Sequence, residues 1–453
     1  MNNEYGFEGL EFDDTERAYK HAAEKTPGNG KTHGDVANTP TPESRKWPDP
    51  IAPEAFHGLA GDFVRMVEPH CEGDPAALLI QFLIAFGNRV GRGPHYLVGA
   101  TRHHMNTFAC LVGMTSKARK GTSWHYIRQL FLDLELGTTR DGFVSGLSSG
   151  EGLVSAVRDT EPDTDDGKGG VKKGTPGVED KRLMVTQGEF CSVLKVMARE
   201  GNTLSGILRD AWDDGYLRVM TKRPMSATDA HISLLGHITR DELRSHLTAT
   251  DSANGFANRF VWVCVKRSKH LPEGGTVPSK QMREFEERLV SAFNKARTVG
   301  RMQRDEAAKE LWATVYAALS EGELGLVGSV IARAEAQALR LSCIYALLDG
   351  SDVVQVQHLK SALAVWEYCG ASCRYIFGDA IGDPVADSIL ASLKASPDGM
   401  TRTEVSDLFG RHKTKAQIDA ALALLLERGL VGRRNETTDG RSREVWFVIT
   451  GSE

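Results

Sequence analysis

The stretch that decides the fold is Thr107-Phe108-Ala109-Cys110-Leu111-Val112-Gly113-Met114-Thr115-Ser116-Lys117-Ala118-Arg119-Lys120-Gly121-Thr122-Ser123. Its first six residues predict a buried strand, and the small, basic and hydroxyl residues after them predict a loop. An amphipathic helix with apolar Trp124, Ile127, Leu130 and Phe131 follows. Strand, small-residue loop with lysine, then helix is the order of a P-loop, where loop amides and a helix N-terminus bind phosphate.

The loop predicts ATP and Mg²⁺ as cofactors. Lys120 is expected to contact the β- and γ-phosphates, and the hydroxyl of Thr122 or Ser123 to hold the metal. The match to G-x-x-x-x-G-K-[S/T] is imperfect, since Lys120 lies seven residues after Gly113 (120 − 113) instead of six. Arg119 occupies the strict lysine position, and a basic loop before an ordinary helix is the alternative interpretation. The candidate nucleotide-binding residues of the loop are Gly113, Ser116, Arg119, Lys120, Gly121, Thr122 and Ser123.

Four further apolar stretches alternate with helical patterns and predict an α/β fold with a parallel sheet covered on both faces. They are residues 143–145, 182–186, 232–238 and 260–265.

Polar residues at the ends of these stretches are the other catalytic candidates. Glu189 follows a strand and could position the attacking water or hold the metal, although Gln187 stands where an Asp would complete an Asp-Glu pair. His237 or Thr239 could sense the γ-phosphate, or His237 could be a core histidine. Arg259, just before a strand, suits an arginine finger offered to a neighbouring subunit in a closed ring, or a structural arginine. Arg333 or Arg340 could be a lid arginine on phosphate, or this helix face could be solvated.

The chain divides into an arm, a core, a helical lid and a small C-terminal module. Residues 1–52 are rich in structure breakers and predict a flexible arm, and residues 53–278 predict the ATPase core. Within the core, residues 158–181 are rich in Asp, Gly and Lys and predict a mobile insertion. Residues 279–380 predict the lid, and residues 384–453 the module.

The C-terminal module predicts a winged helix that binds DNA. Two capping boxes, at Thr401 and Thr414, open helices, and a hairpin turns around Asp439-Gly440. A recognition helix contacts base edges while a wing holds phosphate, and the basic residues follow that division. A protein-docking winged helix is the alternative. The candidate DNA ligands are Arg411, Lys413 and Lys415 at the helix start, and Arg433, Arg434, Arg441 and Arg443 on the hairpin.

On these motifs the sequence resembles the ATPase domain of phage- and plasmid-encoded primase-helicase proteins, over about residues 50–378. The asparagine-arginine-phenylalanine run at 258–260 is also similar to AAA+ helicases. The resemblance implies an AAA+/RecA-like P-loop NTPase, a hexameric ring, and a separate primase, because the arm is too short to hold one. The motifs that carry it lie at residues 56–64, 113–123, 145–153, 188–190, 236–239, 254–260 and 333–341.

The predicted function is therefore an ATP-dependent DNA-binding replication protein of a mobile element, as a ring-forming helicase or a related ATPase. A non-enzymatic initiator or regulator with a degenerate nucleotide site is one alternative, and a phage-defence ATPase another. With a net charge of −5, DNA contact must come from local basic patches. The seven cysteines lack metal-site spacing, and with no long apolar run a cytoplasmic protein without membrane contact is expected.

Overall fold

The computed structural model of the chain describes residues 46–134, 142–165, 171–220, 224–247, 251, 254–323, 325–378, 383–410, 412–436 and 443–449. The strands are β1 His95–Val98, β2 Thr101–His104, β3 Phe108–Gly113, β4 Phe143–Val144, β5 Thr164–Asp165, β6 Val171–Lys172, β7 Arg182–Gln187, β8 Leu217–Val219, β9 Met225–Ala227, β10 His231–Thr239, β11 Phe260–Cys264, β12 Arg301–Arg304, β13 Val353–Val354, β14 Met400–Thr401, β15 Val431–Glu436 and β16 Arg443–Val448. The helices are α1 Gly58–Val67, α2 Pro75–Val90, α3 Lys120–Asp133, α4 Gly150–Ala156, α5 Phe190–Met197, α6 Leu204–Asp213, α7 Arg240–His246, α8 Ser279–Ala296, α9 Glu306–Ser320, α10 Gly325–Ile331, α11 Ala334–Leu348, α12 Val356–Phe377, α13 Pro384–Lys394, α14 Arg402–Asp407 and α15 Lys415–Glu427.

A parallel sheet with strand order β11-β3-β10-β7-β4 forms the centre of the described chain. All five strands were predicted from their near-continuous apolar residues, and the α/β class is confirmed. The strands are apolar throughout because helices cover both faces. In β3, Ala109 and Leu111 pack toward α1, α2 and α3, whereas Cys110 and Val112 pack toward α4, α5 and α6.

A second sheet, with order β13-β12-β1-β2, was not predicted. Its strands have only two to four residues, and β1 pairs with β12 from a distant part of the chain. The helical region over 279–378 was predicted, but the single helix expected over 327–348 is two helices that break between Ile331 and Ala334.

The predicted insertion at 158–181 is anchored at its base. Lys181 Nζ donates to the carbonyl oxygens of Val157 and Arg158, both at 2.8 Å, and pairs with Asp159. Asp159 also accepts from the Thr228 backbone N–H. Both ends of the insertion are therefore held to the body, and residues 166–170 lie outside the described part.

The last residues of the arm predicted over 1–52 belong to the folded body. Residues 1–45 lie outside the described part, but Pro48 is buried and Trp47 packs edge-on against Tyr375 of α12. All seven cysteines are buried free thiols. In the described part of the chain, no helix is long and apolar enough to cross a bilayer.

The C-terminal module has its own core and the order α13, β14, α14, α15, β15, β16. The three strands form an antiparallel sheet with β16 in the middle. Both predicted capping boxes are present, Thr401 with Glu404 and Thr414 with Gln417.

Candidate functional site

The topology of the central sheet predicts a crevice at the carboxyl ends of β3 and β10. The two strands are neighbours, and Thr239 at the end of β10 is in register with Gly113 at the end of β3. From β3 the chain continues into α3 on one face of the sheet, and from β10 into α7 on the other. Loops that leave adjacent strands in opposite directions open a crevice, which is where ligands bind in open α/β sheets.

The loop between β3 and α3 is compact. It contains a short 3₁₀ turn over Ser116–Ala118, capped by Thr115, whose hydroxyl accepts from the Lys117 N–H. The side chain of Ser116 lies outside the described part. An added Cβ on Gly113 would lie 2.7 Å from Lys120 Nζ and 2.8 Å from Ala118 Cβ. Gly113 is therefore required for the lysine to lie close against the start of the loop.

Lys120 folds back over this loop. Only 8% of the residue is exposed, and its Nζ donates to the Thr115 carbonyl oxygen at 3.4 Å. Burial lowers the pKa of its ammonium group, while the charge of Glu242 acts in the opposite direction. Among the described residues no carboxylate pairs with this ammonium, which leaves its charge available to an anion in the crevice.

The Arg119 side chain pairs with a carboxylate outside the loop. Its backbone is left-handed, with φ of 55°, and its Nε lies 2.8 Å from Glu72, which also pairs with Arg267. The residue at the strict lysine position of the motif therefore holds the loop to the segment before α2. Its prediction as a phosphate ligand is not supported by this arrangement.

The two candidate hydroxyl groups at the start of α3 differ in whether they are free to bind a metal. Ser123 is fully buried and its Oγ donates to the Lys120 carbonyl oxygen at 2.9 Å, so it is not free to hold a metal. Thr122 is half-buried in the first turn of α3. An added Cβ on Gly121 would meet no atom within 4 Å, so the position directly after Lys120 faces open space.

His237 lies beneath the start of α3 instead of facing the crevice. Its Nε2 accepts from the Gln81 amide at 3.3 Å, and that amide also donates to the Lys120 carbonyl oxygen at 3.3 Å. Burial, with the nearby Lys120 charge, lowers the pKa of His237 to about 3, so the ring is neutral at pH 7. This arrangement fits a core histidine that anchors α3, and it does not support the prediction that His237 senses phosphate. Gln81, the single polar residue in a long apolar run, was not predicted to belong to this network.

Two carboxylates follow strands at the same edge. Glu189 is exposed at the start of α5, directly after β7. Glu242, in the first turn of α7, accepts from the Thr239 N–H at 3.1 Å and hydroxyl at 2.8 Å. These hydrogen bonds, and then the Lys120 charge, lower the pKa of Glu242. Glu242 was not predicted, although the Thr-x-x-Glu spacing after a strand is a capping-box signal.

Gln187, where an acidic partner of Glu189 was expected, has a structural role. Its side chain is buried and faces two backbone N–H donors, so we assign the amide orientation in which the oxygen accepts from Gly146 N–H at 3.0 Å and Leu147 N–H at 2.7 Å. The Gln187 amide therefore fixes the segment after β4 and is not directed at a water molecule or metal.

An aromatic surface adjoins the loop, and it too was not predicted. The Tyr375 hydroxyl lies 3.0 Å from Met114 Sδ, and the Arg240 guanidinium lies 4.7 Å over the Tyr375 ring. Trp47 contacts Tyr375 with ring centroids 5.1 Å apart, and Lys266 Nζ lies 5.6 Å from the Trp47 ring. Aromatic rings flanked by cations are a type of surface on which a nucleobase can stack.

The structure does not bring Arg259 or Arg333 to this crevice. Phe260 is in register with Phe108 at the amino end of β3, which places Arg259 about one strand length, roughly 20 Å, from the loop. Arg259 is 6% exposed, ion-paired with Asp213 and bonded to the Gly255 carbonyl oxygen. Arg333 lies 3.4 Å from the same Asp213. These contacts do not fit a freely reaching finger or a phosphate-contacting lid arginine, and a homo-oligomeric ring stays a prediction.

Among the described residues, one cluster has the composition of a metal site, His57, Asp349 and His358. His358 Nδ1 accepts from the Gln355 N–H at 3.0 Å, so its proton is on Nε2, which donates to Asp349 Oδ2 at 3.0 Å. That nitrogen has no lone pair for a metal. His57 Nε2 lies 2.7 Å from the same oxygen. Burial alone would raise the pKa of Asp349, but hydrogen bonds from His358 and His57 lower it, and we assign the cluster a structural role.

The predicted DNA ligands of the C-terminal module fall into two classes where the structure describes them. Lys413 and Lys415 are exposed at the start of α15, without a carboxylate partner among the described residues. On the hairpin, Arg434 and Arg443 both pair with Glu436, at 3.0 and 2.8 Å, and Arg433 lies 3.5 Å from Glu444. Arg411 and Arg441 lie outside the described part.

Neither a scan of protein-family models nor a search of curated proteins gives a match to this chain.

Proposed function

We propose that this chain is an ATPase that works on DNA, with ATP and Mg²⁺ held by the 113–123 loop. The observation that carries the proposal is the position of Lys120, whose buried ammonium lies across the loop without a carboxylate partner among the described residues. Backbone amides of the loop and the N-terminus of α3 would bind the phosphates, and Lys120 would neutralise the charge on the β- and γ-phosphates.

Other residues at the carboxyl edge of the central sheet would bind Mg²⁺, bind the base and position the attacking water. Thr122 would contribute a hydroxyl to Mg²⁺, and the base would lie against the surface of Trp47 and Tyr375. Glu189, exposed and free of an ion pair among the described residues, would orient the attacking water. Mg²⁺ supplies charge neutralisation on the transferred phosphoryl group when it is bound.

The C-terminal module supports the DNA part of the proposal. Its order of helix, strand, two helices and hairpin is that of a winged helix, and Lys413 and Lys415 lie where a recognition helix begins. The paired arginines of the hairpin are exposed, and surface ion pairs are worth about 0–1 kcal/mol, so exchanging a carboxylate for a phosphate costs little.

A Lys120→Ala variant tests the proposal. Binding of a fluorescent ATP analogue is expected to weaken about tenfold or more, because alanine has no charge to offer the phosphates. Lys117→Ala, which removes an exposed lysine of the same loop, is the matched control and should bind like the wild type. Equal affinities of the Lys120→Ala variant and the wild-type chain would refute the proposal.

A regulator that binds ATP without hydrolysing it is a second candidate. Gly121 in place of the expected hydroxyl and the structural use of Gln187 favour it. Turnover separates the two functions. With Mg²⁺ and single-stranded DNA, the ATPase proposal predicts phosphate release above the level of the Lys120→Ala variant, and the regulator predicts none.

A further inference from the structure

Two adjoining cavities lie at the amino ends of the central strands, opposite the nucleotide loop. The first has a volume of about 630 Å³ and the second about 460 Å³, and both are lined by His103 and Arg333. Each is within the roughly 300–1,000 Å³ that small-molecule sites occupy. We call the pair the amino-edge trough.

Two buried arginines in the wall of the trough lack a carboxylate partner among the described residues. Arg340, 1% exposed, donates to the carbonyl oxygens of Asn106 and Trp212 at 2.6 and 2.8 Å. Arg304, 7% exposed, lies 3.9 Å from the Trp312 ring and 3.4 Å from the Tyr96 hydroxyl. Buried charges without a counterion are costly, so an anion in the trough would stabilise this wall.

Burial is the main cause of the pKa shifts in the trough. It lowers the pKa of Arg340 to about 9, while the charge of Asp213 acts in the opposite direction and that of Arg333 in the same direction. Burial and the same two arginines lower the pKa of His103 to about 4, so this ring is neutral at pH 7. The positive charge of the trough therefore comes from arginine and does not depend on histidine protonation.

Arg102 at the mouth is the cation most available to a ligand. It is exposed, and no side chain of the described chain pairs with it. Carboxylates also line the trough, but Asp213 is shared by Arg259 and Arg333, and Asp229 lies 3.7 Å from Arg92. The other two are Asp214, which accepts from the Tyr216 N–H, and Glu335.

The second cavity adds an aromatic surface. Trp312 and Tyr316 lie one turn apart on α9, with ring centroids 5.7 Å apart, and Tyr316 is about half exposed. A groove that combines arginines with exposed aromatic rings is the arrangement that binds single-stranded nucleic acid, with phosphates on the cations and bases stacked on the rings.

We propose that the amino-edge trough binds a single strand of nucleic acid, with a phosphate at Arg102 and a base against Tyr316. The site lies at the opposite edge of the sheet from Lys120 and does not depend on the nucleotide loop. It extends the proposed function by giving the chain a single-strand contact outside the C-terminal module.

The test is fluorescence anisotropy of the full chain with a labelled oligodeoxythymidylate of about ten nucleotides. Arg102→Gln is expected to weaken binding and to reduce the slope of log affinity against log salt by about 0.7, the value for one phosphate contact to a single strand. Tyr316→Ala should weaken binding about fivefold or more, and Tyr316→Phe should restore it, because only the ring stacks. Arg283→Gln, on exposed α8 surface, is the control and should leave affinity and salt slope unchanged.

Three results would overturn the proposal. One is an unchanged salt slope in Arg102→Gln, and another is an equal decrease of affinity in Tyr316→Ala and Tyr316→Phe. The third is complete displacement of the strand by thymidine monophosphate or inorganic phosphate, which would show a single-nucleotide or simple anion site. Lys120→Ala should lose ATP and keep the strand, whereas Arg102→Gln should keep ATP, so failure of this proposal is distinguishable from failure of the ATPase proposal.

Discussion

Gly113 and Gly121 flank the same lysine, and replacing each by alanine should have opposite effects. At Gly113 the added methyl would lie 2.7 Å from Lys120 Nζ, 2.8 Å from Ala118 Cβ and 3.0 Å from the Thr115 carbonyl oxygen. Lys120 can move, but the carbonyl and the alanine are held by the loop, so overpacking costs about 1–3 kcal/mol. At Gly121 the added methyl meets no atom within 4 Å, and alanine stabilises a helix by about 0.5–1 kcal/mol relative to glycine.

The assay is thermal unfolding of both variants beside the wild-type chain, followed by binding of a fluorescent ATP analogue. Gly113→Ala should unfold at a lower temperature and bind the analogue about tenfold or more weakly, because Lys120 is pushed off the loop. Gly121→Ala should unfold at the same temperature or higher and keep its affinity. Wild-type affinity in a folded Gly113→Ala variant would refute the close approach of Lys120 to the start of the loop.

Three further variants test other parts of the structure. Gly121→Ser places a hydroxyl directly after Lys120 in open space, and should increase the Mg²⁺ dependence of ATP binding; no change would mean that this position does not face the metal. Asp349→Ala leaves the buried His358 donor unsatisfied, so at pH 7 it should lower the free energy of unfolding by about 1–3 kcal/mol. The exposed control Asp352→Ala should leave the free energy of unfolding nearly unchanged. Because the folded-state pKa of Asp349 is lowered, this loss of stability should shrink as pH falls below 3.8, and a loss that persists there would contradict the assignment of Asp349 as a carboxylate that accepts hydrogen bonds from the two histidines. The double variant Lys413→Gln/Lys415→Gln should bind duplex DNA more weakly with a smaller salt slope, by about 0.9 for each phosphate that the lysines no longer neutralise, and an unchanged slope would indicate a module that docks protein.

The central sheet could be predicted because its strands are buried on both faces. A strand such as Phe260–Cys264 is continuously apolar, and between helical segments a short apolar run of this kind is typical of a strand in a covered parallel sheet. The β1/β2/β12/β13 sheet gave no such signal, because β1, β2 and β12 contain histidine or arginine and β13 has only two residues. Its pairing depends on contacts between distant parts of the chain.

The site could be predicted only where its residues are consecutive. Lys120 could be identified because loop, lysine and helix follow one another in the sequence. Gln81, Glu242 and the Tyr375 surface belong to three other elements, and folding alone brings them beside the loop. Arg259 was assigned from its place before a strand, but sequence order does not reveal that Asp213 of another helix pairs with it.

Nucleotide binding by the 113–123 loop is tested most directly by a crystal structure of the chain with Mg²⁺ and a non-hydrolysable ATP analogue. We expect a triphosphate lying along residues 113–120, with a phosphate oxygen about 3 Å from Lys120 Nζ and the base against Tyr375. A triphosphate bound elsewhere, with the Lys120 ammonium still on the Thr115 carbonyl, would contradict the proposed site.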